Sequence, residues 1–464
     1  MKASSNNRIL MLLENQAYPQ DVRVRREANA LTAAGYTVSV ICPAKPGQPS
    51  REVIKGVRIY RYPEPSGSNG FLGYVWEYAY STSASFAISM IVLFCGGFDV
   101  IHAHNPPDTF VFIAAFYKIF GKRFVFDHHD LSPEMYEARM LGGGNRVVYH
   151  ALVLLEKLTC FFANHVIATN ESYKKIEIER GGVPEERITV VRNGIELDRA
   201  RNTEPERALV GKGKIIIGYV GVMGFQDGVD YLLRALHHLI HDLRRTDFYC
   251  VLVGTGDAWP KLRDLAQQLG LDPYVWFTGF VPSEKMRSCM CAADICVAPE
   301  PSNPFTDRST MVKMVHYMSI SKPIVAFDLP EHRFTAADAA IYVKPNEELS
   351  FAKAIAELMD DPRRREALGA LGRRRFEAEL AWEYSVPKLL EAYQGILPRP
   401  KKTVRNVTEE PEIELTPRPN PTLSTPRKPQ DWNPAGPRKL SLRSSSPACC
   451  PKASRYSECK FRGK

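Results

Sequence analysis

Short apolar segments alternate along the chain with longer segments in which apolar residues recur every three or four positions. In the first half the apolar segments lie at residues 8–13, 37–42, 99–104, 123–130, 165–170 and 188–193. Helical periodicity covers residues 21–34, which end at Gly35, and residues 109–120. Because strands that alternate with helices form a parallel sheet covered on both faces, the pattern predicts an α/β domain.

The second half repeats this alternation after a polar stretch. Strands are predicted at residues 214–221, 248–254, 275–279, 294–299, 323–328 and 339–343. Helices are predicted at residues 229–243, 258–269, 283–292, 350–359, 362–379 and 382–395. The predicted fold class is therefore α/β with two Rossmann-like, doubly wound domains, divided as residues 1–197, a linker 198–213, residues 214–381, a closing helix 382–397 and a tail 398–464.

The net charge of +9 belongs to the tail. Residues 398–464 contain 15 basic and 6 acidic residues, so the remainder of the chain is electroneutral. The tail also holds 12 of the 34 prolines, and we expect it to be disordered because it has too little apolar surface to bury. A neutral body argues against specific nucleic-acid binding as the main function.

The chain lacks the run of about 18 consecutive apolar residues that reads as a membrane span. The first apolar run, Ile9 to Leu13, is too short for a secretory signal. Seven of the ten cysteines precede the tail, without a Cys-x2-Cys pair, and most lie in apolar surroundings. We therefore expect a cytoplasmic protein with reduced cysteines.

Ligands of open parallel sheets bind beyond the carboxyl ends of the strands, so the residues there are candidates for the site. A polar loop with Asn15, Tyr18, Asp21 and Arg23 follows the first strand. It is either a capped helix start with a solvated basic face or a loop that faces an acceptor substrate. His102 and His104 end a later strand, but no third metal ligand at matching spacing is evident.

The segment RFVFDHHDLSPE is the densest polar group of the first half. It places Asp127, His128, His129, Asp130 and Glu134 where a buried strand opens. A histidine beside a carboxylate has the pKa and the fixed tautomer that a general base needs. The alternative interpretation is a structural hydrogen-bond network.

Two glycine-rich turns in the second half have the character of phosphate loops. One follows the strand 214–221 and includes Gly221 and Gly224, and the other begins at Gly254. Glycines there let a backbone approach a phosphate at a helix N-terminus. Neither turn has the spacing of a dinucleotide fingerprint, so a nicotinamide cofactor is disfavoured.

The segment 298–323 combines a polar loop with a helix start. The loop carries Glu300 and Asp307, and Ser309 or Thr310 is predicted to cap the helix. Arg308, Lys313 and the free N–H groups of that helix would form a diphosphate pocket, with His316 on the same face as Lys313. The alternative is an ordinary capped helix.

These segments resemble a known family, the retaining glycosyltransferases of family 4, which have the two-domain fold called GT-B. The resemblance covers about residues 8–396 and rests on the motifs YPQDVRVRREANALTAAGY, FDHHDLSPEMY, IATNESY, ERITVVRNGIE, YVGVMGFQDGVDYLLRAL, FTGFVP and FTDRSTMVKMVHYM with KPIVAFDLPEHR. Within the family the chain looks most like bacterial enzymes of exopolysaccharide and capsule assembly.

The resemblance implies that a nucleotide-sugar donor sits mainly on the second domain and a glycan or lipid-linked acceptor on the first. The closing helix would cross back to the first domain. The base-like histidine falls on His129 with Asp130 beside it, and Arg308 and Lys313 would stabilise the departing diphosphate. Implied donor contacts are Gly221, Gly224, Gly254, Glu300, Asp307, Ser309, Thr310 and His316, and implied acceptor contacts are Asn15, Tyr18, Asp21 and Arg23.

The chain departs from the family pattern at four positions. Arg308 and His316 occupy the places of the two glutamates of a Glu-x7-Glu motif, and His316 replaces the one that binds the donor ribose. Val222 and Asp227 stand where the family has an arginine and a lysine. No Asp-x-Asp pair lies at the cleft loops, so we expect no essential metal and no cofactor beyond the nucleotide sugar.

Two alternatives remain open: a nucleotide-sugar 2-epimerase on the same fold, and a degenerate scaffold of an assembly complex. The segments 71–97 and 109–123 are either core helices or a surface that contacts an anionic membrane from the cytoplasmic side.

Overall fold

The computed structural model describes residues 7–65, 71–140, 143–200 and 203–397. The tail 398–464, for which we predicted disorder, lies outside the described residues. The described chain contains two sheets, and each is covered by helices on both faces.

The first domain has eight strands and six helices. The strands are β1 (Arg8–Leu12), β2 (Thr37–Ala44), β3 (Arg51–Ile54), β4 (Val57–Pro63), β5 (Val100–His104), β6 (Arg123–His128), β7 (His165–Ala168) and β8 (Ile188–Val190). The helices are α1 (Val22–Ala33), α2 (Phe71–Cys95), α3 (Val111–Lys118), α4 (Ser132–Arg139), α5 (Arg146–Phe162) and α6 (Glu171–Glu179).

The short helix α7 (Arg207–Val210) leads into the second domain. Its strands are β9 (Ile215–Val220), β10 (Phe248–Val253), β11 (Val275–Gly279), β12 (Ile295–Ala298), β13 (Ile324–Phe327) and β14 (Ala340–Val343). Its helices are α8 (Val229–His241), α9 (Trp259–Gln268), α10 (Ser283–Ala292), α11 (Val312–Ser319), α12 (Pro330–Ala336), α13 (Glu348–Asp360), α14 (Pro362–Arg375) and α15 (Trp382–Gln394).

The strand orders place the site. The second sheet is parallel throughout, in the order β11-β10-β9-β12-β13-β14, which is the 3-2-1-4-5-6 order of a Rossmann domain. The first sheet has the order β3-β4-β2-β1-β5-β6-β7-β8. The order in which strands are added along each sheet reverses between the parallel neighbours β1 and β5 and between β9 and β12, so the loops after these four strands line the two binding crevices.

The sequence pattern predicted most strands but missed several elements. The prediction of a parallel first sheet is wrong at one edge, because β3 pairs antiparallel with β4 through Val53 and Arg58. Helices α5 and α6 were not predicted. The segment 71–97 contains the long helix α2, of which Gly73–Cys95 is long and apolar enough to cross a membrane by length and composition, and only 22% of its most apolar window is buried in the protein. The expectation drawn from consecutive apolar residues overlooked this stretch because serines interrupt it.

The closing helix α15 packs on the first domain. Leu389, Ala392 and Tyr393 are buried in the core that β1 and β2 build. The Tyr393 hydroxyl lies 2.7 Å from Nδ1 of His102, and the Trp382 amide donates to the Ile195 carbonyl. The closing helix is therefore bonded to strand β5 of the first domain.

Candidate active site

The residues that end β6 point in three directions. Asp127 and His128 are buried, and His129 retains 16% side-chain exposure. Successive side chains of a strand face opposite sides of the sheet, so Asp127 and His128 enter different layers. The structure thereby separates three residues that are adjacent in sequence, and of the three only His129 has a side chain that faces the cleft.

Asp127 belongs to a buried ionic cluster with Arg23 of α1. The guanidinium donates to both Asp127 oxygens at 2.8 and 2.9 Å, and also to the Val191 carbonyl and the Asn193 side chain. Glu27 lies 3.2 Å from the same guanidinium. Arg23 was predicted to contact the acceptor, and this is a correction: its side chain is 7% exposed and every direction of its fork is used within the fold.

Two histidines complete this cluster. His104 Nδ1 lies 3.0 Å from Asp127, and His102 Nε2 lies 3.8 Å from both Asp127 and Glu27. Burial lowers the pKa of both histidines, so they are neutral. Burial, with Asp127 nearby, raises the pKa of Glu27. Burial also opposes the charge of Asp127, but Arg23, His104 and His129 together outweigh burial and hold the pKa of Asp127 well below its usual range. The cluster therefore combines the Arg23 cation and the Asp127 anion with two neutral histidines, while burial favours the protonated form of Glu27.

The same residues form a possible metal ligand set. Glu27, His102, His104 and Asp127 bring four ligand atoms within 4.8 Å of one another. The sequence spacing of the two histidines did not predict these carboxylate partners. Even with both carboxylates of the set ionised, however, Arg23 and a divalent cation together would leave one uncompensated positive charge in a buried site. We assign the cluster a structural role that fixes the carboxyl ends of β5 and β6.

His128 enters a second buried network on the other side of the sheet. Its Nδ1 lies 3.2 Å from Glu177 and its Nε2 lies 3.6 Å from Glu156. Burial lowers the His128 pKa, but the two glutamates outweigh burial and raise it to about 9. Arg180 bridges Glu156 to Glu134. For His128 and Glu134 the structural-network interpretation of the sequence is confirmed.

His129 and Asp130 are held by Asn105 at the end of β5. The Asn105 side-chain oxygen accepts from the amides of His129 and Asp130 at 2.9 and 3.1 Å, and its amide group donates to the Asp130 carbonyl. The carboxylate nearest the His129 ring is Asp127, at 3.6 Å. Burial opposes protonation of His129, but Asp127 prevails and raises its pKa. Sequence analysis paired His129 with Asp130, whereas the carboxylate closest to its ring, and the one with the larger effect on its pKa, is that of Asp127.

The predicted acceptor loop divides into exposed and structural residues. Asn15 is exposed at the cleft end of β1. Asp21 accepts from the Val24 amide at 2.9 Å and is the N-cap of α1, as the capped-helix interpretation predicted. Tyr18 is fully buried, so its predicted contact with an acceptor needs correction. Glu14, buried beside Glu77, has its pKa raised to about 8, mainly by burial.

The glycine turns of the second domain allow three loops to pack tightly. A Cβ on Gly254 would lie 1.9 Å from the Gly221 carbonyl oxygen, and Gly254 has a φ of 130°. A Cβ on Gly228 would lie 2.0 Å from the Pro299 carbonyl oxygen. Only glycine fits these approaches, which bring the loops after β9, β10 and β12 together. Gly224 donates its amide to Asp227 at 2.9 Å.

Lys313 lies under the glycine turn and is already paired. Its ammonium donates to the fully buried Glu300 and, at 3.0 Å, to the Tyr219 hydroxyl. Asp227 lies 4.0 Å away, and burial raises the pKa of Asp227 to about 6. A Cβ on Gly221 would lie 3.1 Å from Lys313 Nζ, so the Lys313 ammonium lies beside the glycine turn to which sequence analysis assigned the diphosphate. Glu300 balances that charge, which sequence analysis did not foresee.

The loop before α11 differs from the predicted helix cap. The helix begins at Val312, Met311 stands at the N-cap position, and no side chain caps it. Ser309 bonds to the Phe305 carbonyl and Thr310 to Glu331. The Arg308 side chain donates to the Pro304 carbonyl, and within the described ranges it forms no ion pair with a carboxylate. Asp307 accepts from the Ser302 hydroxyl at 3.1 Å, within the same loop.

His316 faces the first domain across the cleft. Burial, followed by the charges of Arg26 and Arg287, lowers its pKa to about 4. Its imidazole is therefore neutral at physiological pH. Arg26 is itself paired with Glu196 at 2.5 Å.

Arg139, at the end of α4, shows that the two halves of the site share one space. Its charge lowers the pKa of Asp130 in the first domain and of Asp227 in the second, although burial raises both pKa values overall. Arg139 was not predicted from the sequence, because it is the last residue of a helix and does not follow a strand. Its position makes it a further cation for a charged ligand in the cleft.

A polar contact joins the domains beside the loop 305–310. Asn170, the N-cap of α6, donates to the Arg308 carbonyl and to Thr310 at 2.8 and 2.9 Å. Glu331 of α12 accepts from Ser172, Thr310 and Arg192 at 2.6, 3.1 and 3.4 Å. The loop that carries Arg308 is therefore fixed by both domains.

Two Rossmann domains whose switch points face one cleft define the GT-B class of fold. Sucrose-phosphate synthase from Thermosynechococcus elongatus superposes with a TM-score of 0.68 at 19% identity, over 84% of this chain and 99% of that one. The Anabaena protein HepE, solved in complex with UDP-glucose, superposes with a TM-score of 0.62 at 16% identity, over 84% of this chain and all of the other.

Sequence comparisons identify the family. The model "Glycosyltransferase Family 4" matches residues 20–199, and "Glycosyl transferases group 1" matches residues 214–361, together more than half of the chain. An uncharacterised glycosyltransferase of Methanocaldococcus jannaschii is 26% identical over 381 residues, which are 79% of this chain and 92% of that protein. The chain belongs to the family 4 glycosyltransferases and is a transferase of GT-B fold.

Proposed function

We propose that this glycosyltransferase moves a sugar, with retention of anomeric configuration, from a nucleotide-sugar donor to a glycan or lipid-linked acceptor in the synthesis of an extracellular polysaccharide. The observation that carries the donor site is the glycine turn with Lys313 beneath it at the switch point of the second sheet, where the loop after β12 also carries Arg308. The UDP-glucose complex of HepE supports the same donor class.

In this proposal the second domain binds the donor. The close-packed turns at Gly221 and Gly254 let the diphosphate approach the backbone, while Arg308 and Arg139 supply charges not committed to a carboxylate within the described ranges. His316 is neutral and offers the ribose a hydrogen bond without the added strength of a charged partner.

The acceptor occupies the first-domain side, next to His129 and Asn15. In a front-face transfer the departing diphosphate itself helps to remove the acceptor proton. The main catalytic contribution of the protein is then to stabilise the negative charge of that leaving group. The bond from its backbone amide to Asn105 positions His129, and the Asp127 carboxylate lies 3.6 Å from its ring, so the ring meets the acceptor at a defined place.

The first test is calorimetric titration of the full chain with UDP, GDP, ADP and dTDP. One nucleotide should bind in the micromolar range, and Arg308→Gln should weaken that binding about tenfold, which corresponds to ~1.4 kcal/mol. Arg333→Gln is the matched control, because this exposed arginine is paired with Asp328 outside the cleft. Failure of all four nucleotides with folded protein would overturn the donor site.

The remaining alternatives are separated by products. The sugar of the nucleotide that binds should be consumed only when an acceptor is present, and proton NMR should show the donor's anomeric configuration in the product. Isomerisation of the nucleotide sugar alone would identify a 2-epimerase. Nucleotide binding without turnover of any sugar or acceptor would favour a scaffold.

A further inference from the structure

The exposed apolar side chains of this protein are concentrated on one side of the first domain. Of the 24 large apolar side chains exposed in the described part of the chain, 12 lie on α2, α3, α5 and the turn after α3. Isolated exposed apolar residues are normal, but a contiguous set marks an interaction surface. The residues are Tyr74, Val75, Trp76, Ile91, Phe94, Phe112, Phe116, Ile119, Phe120, Val147, Leu154 and Phe161.

Helix α2 turns its small polar residues inward and its apolar residues outward. Ser81, Ser85 and Ser89 are fully buried, and the Ser89 hydroxyl lies 2.8 Å from the Tyr117 hydroxyl. Phe94 on the other side is 81% exposed. This orientation is the reverse of that in an ordinary amphipathic surface helix, whose apolar stripe faces the core.

Helices α3 and α5 continue the apolar surface. The rings of Phe86 in α2 and Phe116 in α3 meet edge to face at 5.1 Å. Lys118 at the end of α3 donates to the Phe162 carbonyl at the end of α5. The three helices are therefore adjacent, and we call their outer surface, with residues 119–123, the helical face.

The exposed charges of the helical face are basic. Arg123, Arg146 and Lys157 are exposed, whereas Glu77 is half-buried. Glu156 is buried and paired with Arg180. Aromatic and aliphatic side chains among basic residues match the interface of an anionic bilayer, where apolar groups enter the acyl boundary and cations meet phosphate.

We propose that the helical face docks on an anionic lipid bilayer, with α2 lying in the plane of the interface. A transmembrane course for α2 would detach Ser81, Ser85 and Ser89 from the domain and break the Ser89 contact with Tyr117. A twofold dimer through this face would set its basic residues against their own copies. The inference rests on this surface alone and does not depend on the donor chemistry proposed above.

The test is flotation of the full chain with vesicles of phosphatidylglycerol and phosphatidylcholine, compared with phosphatidylcholine alone. The wild-type protein should float with the anionic vesicles. Phe94→Ser/Ile119→Ser should lower the partition coefficient about tenfold or more, because both side chains are about 80% exposed and carry no structural contact comparable to a core residue. Val53→Ser/Val210→Ser, on other exposed surfaces, is the matched control and should bind as the wild type does.

Three outcomes would overturn the proposal. Unchanged binding of Phe94→Ser/Ile119→Ser would assign any vesicle binding to the basic tail. Resistance of the wild-type protein to extraction by alkaline carbonate would show that α2 crosses the bilayer. Light scattering that reports a dimer, dissociated by the double variant and without vesicle binding, would assign the face to a second copy. Melting temperature and nucleotide affinity check that the variants fold.

Discussion

Replacing Arg23 distinguishes a structural role from an acceptor contact. In Arg23→Met the apolar part of the side chain is kept, and Asp127 loses both hydrogen bonds from the guanidinium. Breaking a buried ion pair by removing one partner costs about 3–5 kcal/mol. We expect a loss of this size in the free energy of unfolding at pH 7, measured by urea denaturation, because both residues of the pair are more than nine-tenths buried.

The pH dependence of this loss has a defined sign. Without Arg23, burial raises the folded-state pKa of Asp127 above its unfolded value near 4. The penalty is therefore present above that pH and shrinks as pH falls to 4, because Asp127 of the folded variant is already protonated there and the unfolded chain takes up its proton as well. Asp127→Asn in the same chain should recover most of the stability, since no buried charge remains.

The control is Arg25→Met, which removes a half-buried arginine of the same helix and should cost less than about 1 kcal/mol. An unfolding free energy that changes by less than about 1 kcal/mol in Arg23→Met, together with a raised KM for the acceptor, would refute the structural assignment. The sequence interpretation of Arg23 as an acceptor contact would then be the better one.

Two further predictions concern the cleft. His129→Gln should lower kcat at least tenfold with little change in nucleotide affinity. Its control is His165→Gln, at a half-buried histidine of β7 bonded to Thr189, which should leave kcat unchanged. If His129 acts as a base, wild-type kcat/KM should rise with pH through the raised pKa of His129, and a flat profile would contradict that role. Glu331→Gln removes the charge that faces Arg192 between the domains and should lower kcat about tenfold. Nucleotide affinity, measured by calorimetry, should stay within a factor of two of the wild-type value. A tenfold loss in nucleotide affinity would show that Glu331 acts on the donor site itself.

Strand-end reasoning located the site because the topology obeys a simple rule. Apolar runs predicted β1, β5, β9 and β12, and the polar residues after them lie at the two switch points. The same rule applied to β13 would have found Glu331, which follows the strand by four residues. Arg139 had no such signal, because it ends a helix that reaches the cleft from the side.

The sequence pattern could not decide which polar residues are free to react. Asp127, His128 and His129 are adjacent in the chain, and each has the composition of a catalytic group. Their roles depend on partners far away in sequence: Asp127 is bonded to Arg23, and His128 is bonded to Glu177. A local motif shows none of these pairings, since they form only when α1 and α6 pack on the sheet.

The same reasoning explains the difference between Lys313 and Arg308. Both are basic and five residues apart, and both were predicted to bind a diphosphate. Lys313 points beneath the glycine turn to Glu300, whereas Arg308 contacts only a backbone carbonyl in the described ranges. A charge already neutralised by the protein contributes less to binding than one that gains its first counterion from the ligand, because the ligand must compete with a buried carboxylate. Arg308 is therefore the more sensitive probe of the donor site, although the two residues were equivalent in the sequence.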